Sequence, residues 1–65
     1  MTAKDAAKLV AAARRADIPN VEIARIVGCT ERTISAWKRR PRTVVQARLV
    51  AGLAALRERL DGRTA

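Results

Sequence analysis

"NVEIARIVGCTERTISAWKRR", Asn20 to Arg40, contains the residues that decide the fold. Gly28, Cys29 and Thr30 separate two stretches with apolar residues at helical spacing, Ile23, Ala24 and Val27 before them and Ile34 and Trp37 after. Glycine at 28 suits the left-handed residue that ends a helix, because it has no Cβ to clash. Thr30 suits the N-cap of the next helix, which is expected to run to about Arg40, where Pro41 stops it. Two short helices joined by three residues match the connection length of a helix-turn-helix unit. Counted from Asn20, the fifth position is Ala24, small enough to let the helices cross closely, and the ninth is Gly28, where the turn needs positive φ. The fifteenth and eighteenth are Ile34 and Trp37, both apolar and able to seat one helix on the other. All four demands are met together.

Working outward, Asn20 reads as the N-cap of a short helix from Val21 to Val27. Before it, Asp17, Ile18, Pro19 and Asn20 end a first helix expected from Ala3 to about Ala16. Thr2 and Asp5 open that helix as a capping box, and Ala6, Leu9, Val10 and Ala13 form its apolar face. Beyond Pro41, Thr43 and Gln46 read as a second capping box at the head of a fourth helix, from about Val44 to Leu60, with Gly62 past its end and residues 63–65 fraying. No repeat or linker divides the chain, so one all-α domain of four helices without a sheet is expected over residues 1–65.

Composition limits what such a domain can do. A chain of 65 residues buries only about 60% of its unfolded surface, which leaves a thin core and makes self-association an option. There is no His, Phe or Tyr and only one Cys, so no internal disulfide and no Ser/His or Cys/His pair can be built, and a catalytic zinc or iron site has almost no ligands to use. An enzyme, a cofactor and a small-molecule substrate are therefore not expected. The chain shows no secretory signal and no apolar stretch near the roughly 20 residues of a membrane span, which suits a reducing cytoplasm. The formal net charge is +8, and residues 31–42, with five basic residues and one acidic, carry half of it. Charge clustered in this way points to a polyanionic partner.

Helical spacing separates two faces of the stretch after Thr30. Thr30, Ile34 and Trp37 are expected to point inward, whereas Arg32, Ser35, Ala36 and Arg39 lie opposite. An outward face of this kind is what a recognition helix lays in the major groove of double-stranded DNA. There arginine can donate two hydrogen bonds to guanine, Ser35 permits close approach, and Ala36 can touch a thymine methyl. Glu31 either accepts from cytosine or favours the positive end of the helix dipole. Lys38, Arg40 and Arg42 are expected to meet phosphates; Asn20 and Thr30 can do so too, with capping the simpler role for both. Cys29 reads as a small hydrophobe between helices in preference to a redox sensor. Leu49, Leu53, Leu56 and Leu60 recur by four, three and four residues. Part of this stripe must close the core, and Leu53, Leu56 and Leu60 are the expected contacts of a homodimer. Such a dimer would present two recognition helices to a palindromic operator.

The Asn20–Arg40 stretch resembles the helix-turn-helix regions of small phage repressors and Cro-like regulators, and of related transposase and terminase DNA-binding domains. The resemblance covers about a third of the chain. It implies a lambda-repressor-like or homeodomain-like arrangement, and base contacts from Glu31, Arg32, Ser35, Ala36 and Arg39. Its functional implication is a transcriptional regulator acting by operator occupancy. The alternatives are a DNA-binding subunit of a recombination or packaging complex, such as an excisionase or small terminase, and a basic helical module docking on an acidic protein or membrane surface.

Overall fold

The structure, a computed structural model, describes residues 1–64, with side chains as far as Gly62. Four helices follow one another: α1 (Ala3–Arg15), α2 (Asn20–Val27), α3 (Glu31–Arg39) and α4 (Ala47–Thr64). The all-α expectation holds among these residues, where the extended pairing is a single isolated bridge between Thr2 and Val44.

α1 begins at the Thr2–Asp5 capping box, in which the Asp5 carboxylate accepts from the Thr2 amide at 3.4 Å and from the Thr2 hydroxyl at 3.2 Å. It ends in a Schellman arrangement: the Ile18 amide donates to the Ala13 carbonyl and the Asp17 amide to the Arg14 carbonyl. Asp17 takes the left-handed position at φ 64°, a place glycine usually fills, and Ile18 turns into the core at 2% exposure. Pro19 is then the N-cap of α2, in extended conformation, its carbonyl accepting from the Glu22 and Ile23 amides. This corrects the reading of Asn20 as a cap. Pro19, with its φ already held near −70°, supplies the opening carbonyl, and Asn20 becomes the first helical residue.

Gly28 closes α2 at φ 87°. Its amide and that of Cys29 both donate to the Ala24 carbonyl. Thr30 caps α3, its hydroxyl accepting from the Thr33 amide at 3.3 Å. Ile34 and Trp37 are each 5% exposed, as their spacing requires, but Thr30 is exposed. An N-cap has extended backbone, φ −96° here, so its side chain leaves the helical wheel that predicted an inward direction.

The second capping box does not form. Residues 41–45 are taken up by the N-terminal segment: the Lys4 amide donates to the Pro41 carbonyl, the Ala3 amide to Thr43, and the Val45 amide to Met1. Two of the orphan amides at the start of α1 are thereby satisfied from a distant loop. α4 consequently starts at Ala47, three residues later than its sequence signals suggest, with the Gln46 carbonyl accepting from Leu49 and Val50. It also continues past Gly62 to Thr64.

α4 lies across α2 and α1, and α1 in turn backs α3. Alanines line the closest approaches, with Ala3, Ala6 and Ala13 fully enclosed. Leu53 and Leu56 are likewise 0% exposed within one chain, and Leu60 is half-buried against the same core. The expected seam between copies is corrected accordingly: Leu53 and Leu56 are used up closing this core, since three short helices cannot bury their apolar faces without them. Gly52 stands where α4 meets the Val27 backbone, with no room for a Cβ. An exposed ion pair, Arg59 to Glu22 at 2.8 Å, ties the far end of α4 to α2.

Candidate nucleic-acid interface

α3 is held from one side and open on the other. Ile34 and Trp37 anchor it, while α1 and α2 pack behind it. Facing outward are Arg32, Ser35 and Arg39, all exposed, with Ala36 partly covered between them. Arg32, Ala36, Arg39 and Arg40 surround one depression, so three residues of the outward face share a surface with one expected phosphate contact. Glu31 is exposed in the first turn, where its carboxylate meets the positive end of the α3 dipole.

The flanks of α3 differ. On one side, Ser35 and Lys38 border a cleft shared with the end of α1 and the start of α2, where Asn20 is also found. On the other, Thr33, Ala36 and Arg40 border the loop from Thr43 to Gln46 and the head of α4. Thr30 is exposed at the head of α3, its hydroxyl engaged in capping. Arg42, three residues past the end of α3, is exposed and borders a depression with Pro41, Thr2 and Lys4 at the N-terminal end of α1.

Electrostatics on this surface are simple. The ion pair found among the described residues is Arg59–Glu22, between α4 and α2, and no carboxylate among them neutralises Arg32, Lys38, Arg39, Arg40 or Arg42. Acids and bases interleaved at i,i+4 would have marked an ordinary solvated helix. Cys29 is half-buried in the turn and packs against the core. Burial pushes its thiol up, and the nearby Arg48 guanidinium offsets part of that rise.

Sequence spacing overlooked Arg14 and Arg15, which join Lys38 in the cleft beside α3. On α1 alone, Arg14 falls seven residues after Ala7 and reads as the edge of the buried stripe. That α3 lies along this edge follows from packing, which no local pattern carries. Gly52 was overlooked too, because its close approach to the Val27 backbone follows from the packing of α4 on α2. No family model, curated protein or solved structure matches the chain.

Proposed function

We propose that this chain is a sequence-specific double-stranded DNA-binding regulator, not an enzyme, which acts by occupying an operator with α3 in the major groove. The observation that carries the reading is the two-sidedness of α3: Ile34 and Trp37 are enclosed, and the opposite face offers Arg32, Ser35 and Arg39 without an acidic partner among the described residues. A helix is about 10–12 Å across with its side chains and the major groove is about 12 Å wide, so α3 fits the groove with its outward face toward base edges. The Gly28–Thr30 connection and the joint pattern at Ala24, Gly28, Ile34 and Trp37 support a helix-turn-helix arrangement, as in small phage-type repressors.

One such helix reads only a few base pairs, too few to define a site within a genome. The longest dimension of the chain, 31 Å, is under the roughly 34 Å turn of DNA that separates half-sites. Two copies on a palindromic operator are therefore part of the proposal, meeting through surfaces other than Leu53 and Leu56.

Selection of bound duplexes from a random pool tests the reading. Recovery of a shared motif with two inverted half-sites is expected, and a map of occupied chromosomal sites should then fall on promoters. A pool that stays unenriched would end the proposal of sequence-specific binding. Occupancy confined to attachment or packaging sequences would move the chain to a recombination or packaging complex.

A further inference from the structure

We infer that the cleft between α1 and α3 is a clamp for the phosphates of one DNA strand, formed by Arg14, Arg15 and Lys38 together with Asn20, on the flank of α3 opposite Arg40. The inference rests on the DNA-binding reading and deepens it, since it assigns the two strands of the duplex to different elements. The cleft holds about 420 Å³, and Ser35 of the outward face stands at its border.

Three observations meet there. Arg14, Arg15 and Lys38 come from two helices and converge on one opening, yet none has a carboxylate within 4.0 Å among the described residues. Cations gathered without an acid repel one another, and an anion entering between them removes that cost. Asn20, the first residue of α2, brings the positive end of that helix's dipole to the same place. Asn20 is only half-buried there, and its Oδ1 is enclosed without a hydrogen-bond partner, so the side-chain amide is not tied down within the fold.

The direction of the cleft identifies the anion. A helix lying in the major groove has one phosphate strand along each flank. Here one flank carries Ser35, Lys38 and the arginines of α1, and the other carries Ala36 and Arg40. The floor of the cleft is alanine and other apolar residues, so the charges stand at its rim. Such a rim suits a backbone phosphate passing over it better than a small anion bound inside. Basic residues in the last turn of α1 also favour its C-terminal dipole, and this structural role would show in stability, not in DNA binding.

The test measures affinity for a random-sequence duplex as a function of salt, for the wild-type chain and for R14Q/R15Q, R14K/R15K and R40Q/R42Q, each checked for wild-type helicity. Removing one cation from a phosphate lowers the slope of log K against log salt by about 0.9, so R14Q/R15Q is expected to reduce it by about 1.8 and R14K/R15K by almost nothing. Ethylation interference on the selected site should, within each half-site, lose signals from one strand in R14Q/R15Q and from the other strand in R40Q/R42Q, the two half-sites showing the pattern on opposite strands. A wild-type slope in R14Q/R15Q, or loss from the same strand of a half-site in both variants, overturns the clamp while leaving the DNA-binding reading standing. A reduction in the lysine pair equal to that in the glutamine pair also overturns it, because a positive charge would not then be what matters. Failure of the wild-type chain to retain any duplex at low salt overturns both.

Discussion

A methyl group added at Gly52 would land on the Val27 carbonyl, because α4 crosses the end of α2 backbone against backbone. Neither partner can yield as a flexible side chain would. G52A is therefore expected to cost upwards of about 3 kcal/mol, the top of the usual range for overpacking, and to lower the thermal midpoint far more than a surface change. Gly28 has open space around it, and its constraint is φ 87°. There an alanine meets only the left-handed penalty of about 1–2 kcal/mol. The two glycines differ in how they could be found: Gly28 from its place in the turn, Gly52 only once α2 and α4 are packed. Asp17 offers the converse case. It holds a left-handed position, so D17G is expected to raise stability by up to about 1 kcal/mol in a denaturant titration. At Cys29, burial raises the folded-state thiol, so the neutral form is the one the fold favours. Stability should be level below the ordinary thiol pKa of about 8.5 and fall as pH rises through it toward the folded value. C29A should remove that part of the decline, and an unchanged pH profile in C29A would refute the assignment.

At the scale of elements, α1, α2 and α3 begin and end within a residue of where capping and periodicity put them. Their signals are local: the Thr2–Asp5 box, the Gly28 turn and the Thr30 cap. α4 departs because Thr43 to Val45 are claimed by Met1 to Ala3, at the other end of α1 to α3 in the chain, and a segment bonded to a distant strand-like partner cannot also start a helix. The leucine stripe misled for a related reason. Spacing of four and three residues records that a face is buried but not by what, and Leu53 and Leu56 are covered by α1 and α2 of their own chain. L56A is accordingly expected to cost about 2–5 kcal/mol in the free protein whatever its concentration. A penalty that vanished on dilution would return Leu56 to an interface between copies. Thr30 connects this scale to the site, since it starts the helix that carries the outward face. T30A should cost about 1 kcal/mol through removal of the cap.

Over the whole molecule, all four helices contribute to one apolar core, with α4 packed on α1 and α2 and α3 packed on α1 and α2, and basic charge without an acidic partner among the described residues is left on α3 and around it. Charge clustering and the inward and outward faces of α3 were legible in the sequence, the first from the count of charges along residues 31–42 and the second from helical periodicity. The contribution of Arg14 and Arg15 was not, because it depends on which helix lies alongside α3, and the placing of Arg42 beside Thr2 and Lys4 was not, because it depends on the N-terminal segment pairing with residues 41–45. No described helix is long and apolar enough to cross a membrane. The proposed reading places the discriminating contacts on Arg32 and Arg39, with phosphate contacts around them. The most direct test is the base-preference profile of R32A and R39A against wild type on the selected duplex, each compared with random-sequence DNA at one salt concentration. A deficit of about 1–3 kcal/mol at a single base pair of each half-site, with little change on random DNA, is the predicted result. Equal deficits on selected and random duplexes would contradict a reading helix at α3.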